Sequence, residues 1–341
     1  LAVSKLQVVE ERVHEVVVHE GHRARVRWQL LELVPSDGQP ALAVQRTVAA
    51  GAEQAPRTRG TVILVHGLAQ NSRSWQLSGR SLPAWLAERG YEVLNVDLRG
   101  HGLSRRLGSL PARRFDDYAD DLVRLVHALP RRPFVAGHSM GAAVAMRAAP
   151  RVALAGLVHW AGVYTFAREN LALRGAAHLS LAMSGLLPEG AAMSWRPAGR
   201  LISRLHRVAE PLNYIAPIRG WGWRSFERPL LRERVTEGFD VTSFAVMEEM
   251  SRWALGEPVD DGAFAALEDL PLLVLSGTAD KLATVGDGRA CYETSRSRDR
   301  TFLVFSREVH GFSPGHLDIV LGAKAPALIW PEVLSWLDAR A

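Results

Sequence analysis

Residues 133–149 read PFVAGHSMGAAVAMRAA, and the folding of this stretch decides how the rest of the chain is read. Its first half is a short apolar run ending at Gly137, the composition of a strand buried on both faces. Its second half, from Gly141, is an alanine-rich run of helix formers. Between them stands Gly137-His138-Ser139-Met140-Gly141, a G-x-S-x-G. With 29 glycines in 341 residues, such a pentapeptide is weak on its own. The strand–turn–helix context makes it informative. A sharp turn lifts a serine hydroxyl clear of the sheet, and the flanking glycines leave room for crowded backbone. The helix behind directs its positive end at the site. The competing reading is a serine helix cap in a glycine-rich turn of the phosphate-binding kind, but a dinucleotide fingerprint wants G-x-G-x-x-G.

Outward from this stretch, strands and helices alternate. TVILVHG (61–67) is a buried-type strand, a helix follows around Trp75–Arg89, and YEVLNVD (91–97) is the next strand. A helix around Asp117–Leu129 precedes PFVAG, the helix Ala142–Ala149 follows the serine turn, and LAGLVHW (154–160) is again a strand. The βαβα rhythm predicts an α/β fold with a doubly wound, mostly parallel sheet and helices on both faces. Before it, Val13–Val18, Arg23–Val34 and ALAVQRTVAA (41–50) read as antiparallel strands, with PSDGQP (35–40) as a turn and AEQAPRTRG (52–60) as the lead-in.

The rhythm stops after Trp160. Residues 163–240 hold leucine-rich helical stretches, LSLAMSGLL (179–187) and RLISRLHRV (200–208), and the irregular segments LNYIAPIRGWGW (212–223) and RSFERPLL (224–231). They contain no convincing strand and read as an inserted helical cap, with 1–162 and 241–341 forming the core. Alternation resumes at PLLVLSG (271–277), followed by a helix near Thr284–Thr294, the strand TFLVF (301–305) and a last helix over Ala325–Ala339.

A serine hydroxyl is a poor nucleophile at neutral pH and needs a base that is itself oriented by a buried acid. On such a sheet the order is serine, acid, histidine. Asp280 lies three residues past Gly277, at the C-terminal end of a late strand, where open parallel sheets bind ligands. Capping the next helix is its alternative role, and Asp287 is a weaker candidate for the acid. Two histidines follow the last strand, His310 and His316, and spacing alone admits either as base. The backbone N–H groups of Leu68 and Met140 are the candidate oxyanion donors. His66 and His138 read as structural braces, and Asp97 and Arg99 as loop geometry and ion pairing.

Composition narrows the function classes. Hydrophobic residues make up 48% and charged residues 23%, the balance of a globular protein with a sizeable core. All but three of the 41 basic residues are arginine, scattered among 36 acidic ones, so the net charge of +5 marks a solvated surface and not a nucleic-acid stripe. The lone Cys291 leaves no intrachain disulfide and no thiol-rich metal site. No apolar stretch approaches the roughly 20 residues of a membrane span. The start, interrupted by charges, is not a secretory signal, which favours a cytoplasmic location. Residue 1 is leucine, however, and a segment upstream of it is compatible with this reading.

Together LVHGL (64–68), VDLRGHGLS (96–104), AGHSMG (136–141), LVLSGTAD (273–280) and a late histidine resemble the α/β-hydrolase superfamily, over the chain from about residue 60 onward except the insertion. Within it, HGLAQNSRSW (66–75), SLPAWLAERGYEV (81–93) and HLDIVLGAKAP (316–326) are similar to the acid-lipase group. That resemblance implies His316 as the base, heading an H-L-D segment followed by Gly322 and Ala325-Pro326, with His310 as the alternative. It also implies Leu68 as the oxyanion residue. Met140 departs from the glutamine of that group, and the insertion is dissimilar, so lipid specificity does not carry over. Polyester synthases place cysteine at the elbow, and haloalkane dehalogenases and related epoxide hydrolases place aspartate there; Ser139 departs from both.

The expected function is hydrolysis of a carboxylic ester of a small apolar substrate through an acyl-enzyme on Ser139, with no metal or organic cofactor implied. The cap is expected to roof an apolar acyl pocket with Trp160 on its floor and Trp195, Trp221 and Trp223 around it. The same triad acting on a thioester, lactone, polyhydroxyalkanoate or carbon–carbon bond is the enzymatic alternative. A hydrolase-like protein that only binds is the non-enzymatic one. The oligomeric state is not legible.

Overall fold

In the computed structural model, which describes residues 5–35, 38–51, 58–184, 186–188, 190–205 and 220–341, nine strands make one sheet. They are β1 (Leu6–His19), β2 (His22–Leu33), β3 (Leu42–Ala49), β4 (Gly60–Val65), β5 (Tyr91–Asp97), β6 (Phe134–His138), β7 (Gly156–Trp160), β8 (Leu272–Gly277) and β9 (Arg300–Phe305). The spatial order is β1-β2-β3-β5-β4-β6-β7-β8-β9. From β5 to β9 every neighbouring pair is parallel. The first three strands add an antiparallel extension joined to β5. Parts of the 35–40 turn, of the 52–60 lead-in and of the irregular stretch at 212–223 lie outside the described residues.

The central strands read as unbroken apolar runs because both faces are covered. All residues of β6, β7 and β8 are buried. Successive side chains alternate between two cores. Ile63, Val65, Leu94, Val135 and Val274 face the core that holds helices α2 (Asp116–His127), α3 (Met140–Ala148) and α8 (Val285–Thr294), including Cys291. Val62, Leu64, Val93, Phe134 and Leu273 face the other, with α1 (Leu82–Ala87) and α9 (Trp330–Asp338). Burying both faces in this way removes a large apolar area from water, at about 25 cal/mol per Å².

Two helices are shorter than the sequence predicts. The stretch around Trp75–Arg89 is helical only from Leu82, where the Ser81 hydroxyl caps Ala84 N–H and Pro83 opens the first turn. Upstream of it, a single 3₁₀ turn and a two-residue hairpin carry Trp75 into the core. The last helix is divided at Ile329, since Pro331 supplies no N–H to continue the preceding turn.

Between Trp160 and Leu272 the chain leaves the sheet. It forms α4 (Leu171–Ser184), α5 (Arg196–Arg204), α6 (Arg228–Glu237) and α7 (Phe244–Ala254). Helical order thus continues past residue 240, and α7 packs on α4. A short antiparallel pair, Ala192–Ser194 with Val241–Ser243, also stands where no strand was expected. In α4 only Ala177 is buried, and Leu171, Leu179 and Met183 face solvent. No helix among the described residues is long and apolar enough to cross a membrane.

Candidate active site

Ser139 sits between the end of β6 and the first turn of α3 with φ 58° and ψ −121°, a conformation that side-chain-bearing residues rarely adopt. The two glycines of the pentapeptide are required by close approach. A Cβ on Gly137 would stand 2.3 Å from the Gly141 carbonyl oxygen, and one on Gly141 would stand 2.3 Å from that of Val65. The Ser139 N–H donates to the Trp160 carbonyl at 3.1 Å, tying the turn to β7. Ser139 keeps 9% of its surface, so its surroundings are nearly dry.

Beyond β8, one carboxylate and one imidazole meet. Asp280 Oδ2 lies 2.7 Å from His316 Nδ1, with both side chains buried. The other oxygen of Asp280 accepts N–H bonds from Leu282 (2.8 Å) and Ala283 (3.0 Å), which fix the carboxylate's direction. A hydrogen on His316 Nδ1 pointing at Asp280 leaves Nε2 as the basic nitrogen. The His316 ring lies 4.7 Å from that of His138, the residue preceding Ser139. Asp287 is engaged elsewhere. It forms a capping box with Thr284 at the start of α8 and accepts from Tyr164 N–H, and burial pushes its carboxyl up to about 6. His310 lies 4.9 Å from the Phe305 ring, and its Nδ1 accepts from Ser306 N–H within its own turn.

The segment carrying His316 is held at nearly every residue. His138 Nε2 donates to the His316 carbonyl (2.8 Å), Trp160 Nε1 to that of Ile319 (3.2 Å), and Trp330 Nε1 to that of Val320 (2.9 Å). Arg80, fully buried, donates to the Leu321 carbonyl at 2.8 Å and pairs with Glu227. The Asp318 carboxylate accepts from the N–H groups of Gly315 and Gly222, and burial raises it to about 6. The aspartate of the H-L-D triplet therefore shapes the turn that presents the histidine.

On the opposite side, His66-Gly67-Leu68 follows β4. Leu98 N–H donates to His66 Nε2 (3.1 Å), so the ring hydrogen is on Nδ1 and is donated to the Gly67 carbonyl at 2.9 Å. Burial drives the His66 imidazole down to about 4 and keeps it neutral. In a trans peptide the C=O and N–H point in opposite directions. Holding Gly67 C=O toward His66 therefore turns Leu68 N–H the other way. A Cβ built on Gly67 would stand 3.1 Å from Ser139 Cβ, so this peptide runs beside the elbow. The Met140 N–H heads α3, one of the helix amides with no partner inside its own helix.

Asp97 secures the following turn by accepting from the N–H groups of Ser72 (2.7 Å) and Leu103 (2.8 Å). Arg99 makes a bidentate pair with Asp121 at 2.8 and 2.6 Å. Both agree with the structural roles read for them.

The expected tryptophan pocket is corrected. Trp160 has no exposed surface: it packs edge-on to Trp75 at 5.6 Å and belongs to the core, not to an open floor. Trp221 is buried in the same core with Phe226 and Leu230. Trp195 is half-buried at the start of α5, and Trp223, 48% exposed, lines a surface cleft with Phe312 and Lys281. The four indoles do not converge on one cavity.

Sequence reasoning missed what joins residues 163–240 to the turn after β4. Asp240 N–H donates to the Ala69 carbonyl (2.8 Å), while its carboxylate accepts from Asn71 and Gly102 and pairs with Arg105 and Arg196. Arg234 on α6 reaches Gln70 at 2.8 Å. No motif marks either residue, since Asp240 meets Gly102 and Arg234 meets Gln70 across more than 130 positions of sequence.

These features define a class. The model of the alpha/beta hydrolase family matches residues 62–321, and the chain belongs to that family. Its fold is similar to that of a monoacylglycerol lipase from Paleococcus ferrophilus (TM-score 0.62, 18% identity, covering 88% of this chain and 99% of that one). It is also similar to a monoglyceride lipase from Saccharomyces cerevisiae (TM-score 0.63, 14% identity, 98% of each chain). A curated relative, epoxide hydrolase B of Mycobacterium tuberculosis, is 34% identical over 96 residues, 28% of this chain. The matched region spans about a quarter of that relative's length (26%).

Proposed function

We propose that this alpha/beta hydrolase cleaves a carboxylic ester through an acyl-enzyme on Ser139. The observation that carries this reading is the buried Asp280–His316 pair at 2.7 Å, one imidazole away from the serine turn. Ser139 Oγ attacks the acyl carbon while His316 Nε2 takes its proton, and Asp280 holds the tautomer and the imidazolium that forms. The N–H groups of Leu68 and Met140 receive the tetrahedral oxyanion, where loss of one donor costs about 3 kcal/mol of transition-state stabilisation. Collapse expels the alkoxide, which takes the proton back from His316. Water, activated by the same base, then releases the acid and frees Ser139.

A serine at the elbow and a neutral, buried oxyanion brace support acyl transfer over the aspartate-based chemistry of epoxide hydrolases. In this reading residues 163–240 act as a cap over the strand ends, supported by the contacts of Asp240 and Arg234 with the 69–74 turn.

A fluorophosphonate that labels active-site serines is expected to modify the wild-type protein once and Ser139→Ala not at all. A panel of p-nitrophenyl esters, thioesters and lactones is expected to show ester turnover that His316→Ala abolishes and His310→Ala retains. Labelling that persists in Ser139→Ala, or activity that depends on His310 and not His316, would sink the assignment. A wild-type protein that neither labels nor turns over any panel member would point to a binding protein.

A further inference from the structure

Arg234 is the most unusual charge among the described residues. It lies on α6 with 1% of its surface exposed, and among the described residues no carboxylate stands within ion-pair distance of it. Its Nη2 donates to Gln70 Oε1 at 2.8 Å and approaches Ser74 Oγ at 3.3 Å, while Nη1 has no hydrogen-bond partner among the described residues. Burial alone lowers the guanidinium, to about 10, so it remains a cation at neutral pH. A slot is built for it: a Cβ on Gly238 would stand 2.4 Å from Nη1. Buried charges are ordinarily paired, and an unpaired one is a standing penalty to the fold.

The position of this cation gives the penalty a purpose. The same Gln70 oxygen that accepts from Arg234 stands 3.4 Å from where a Cβ on Gly67 would be, and that Cβ in turn would touch Ser139 Cβ. Gln70 also forms an isolated antiparallel bridge with Phe239, just past the end of α6. The charge opposes protonation of both His66 and His138, the two imidazoles that brace the oxyanion turn and the His316 carbonyl. We propose that Arg234 is a positioning residue: through Gln70 it sets the Gly67–Leu68 turn, and its uncompensated charge favours the negative charge that develops on the acyl oxygen at Ser139. This rests on Ser139 being the nucleophile.

The test compares wild type, Arg234→Met and Arg234→Lys in the second-order rate of fluorophosphonate labelling, alongside urea unfolding. Labelling passes through an oxyanion without needing the natural substrate. Arg234→Met is expected to label at least about 10-fold more slowly with its urea midpoint unchanged or raised, because an unpaired buried charge is replaced by an apolar chain. Gln70 stays satisfied in that variant, since Ser74 Oγ donates to it at 2.7 Å. Arg234→Lys, which keeps the charge, is expected to recover most of the rate. A residue with only a structural role gives the opposite pattern, a lowered midpoint with labelling lost in step and no rescue by lysine. That pattern, or Arg234→Met labelling at the wild-type rate, overturns the inference. An unreactive wild type overturns the hydrolase reading instead.

Discussion

Ser139 carries backbone strain in return for its position at the tip of the turn. At φ 58° and ψ −121° a Cβ is disfavoured, and such residues are held against about 1–3 kcal/mol by the surrounding structure. Ser139→Gly is therefore expected to gain about 1–2 kcal/mol in urea unfolding while losing all labelling. Ser139→Ala keeps the strain and gains little. A loss of stability in the glycine variant would mean that the hydroxyl, and not the turn, holds the elbow together. The serine turn and the Asp280–His316 contact near it were legible in the sequence, because the elbow and the strand ends are local patterns. Arg234 and Asp240 were not, because what makes them unusual is which neighbours they have or lack.

At the scale of elements, the turn after β4 is the part of the site most dependent on a single brace. Without the His66 imidazole, Gly67 C=O loses its donor and Leu98 N–H its acceptor. His66→Ala is expected to lower turnover about 100-fold, the effect of losing an oxyanion donor, and to destabilise by about 1–3 kcal/mol through the orphaned amide. Turnover within a few-fold of wild type would show that the peptide keeps its orientation unaided. The alternation of strands and helices was readable because β6, β7 and β8 are buried on both faces and therefore uninterrupted in sequence. The helix expected from Trp75 failed for a physical reason. Trp75 and Leu77 are apolar because a 3₁₀ turn and the hairpin after it bury them, and the true start was signalled only by Ser81 and Pro83. The leucine-rich stretch read as a helical cap forms a helix at α4, but its Leu171 and Leu179 face solvent.

Across the whole molecule, buried histidines govern the response to acid. Burial lowers His66, His101 and His159 to about 4 and His138 well below its ordinary 6.5. The unfolded chain binds these protons first. The stability they contribute is complete above about pH 6.5 and is lost as the pH falls toward 4, at roughly 3 kcal/mol for each shift of two units. Asp287 and Asp318, raised from 3.8 to about 6, act in the opposite sense, since the folded state holds their protons more tightly between those values. Burial raises Asp97, Asp121 and Glu249 in the same sense as these two, but the four imidazoles bring the larger shifts, so the urea midpoint is expected to fall between pH 6.5 and 4.5. A midpoint that rises over that range would contradict the neutral, buried state of the histidines.

Cys291 offers an internal clock for motion near the site. It is the chain's only thiol, fully buried on α8, and burial raises it well above the usual thiol range. Disulfide-exchange reagents can consume one equivalent per chain, and only when α8 lifts away from the sheet. That helix begins immediately after the Asp280 loop and is clamped by the Thr284–Asp287 box. Thr284→Ala, which removes about 1 kcal/mol of capping, is expected to quicken thiol trapping about fivefold. An unchanged rate would mean that α8 opens only with global unfolding. Stopped-flow thiol chemistry thus reads how often the Asp280 loop breathes, with no engineered probe and no knowledge of the substrate.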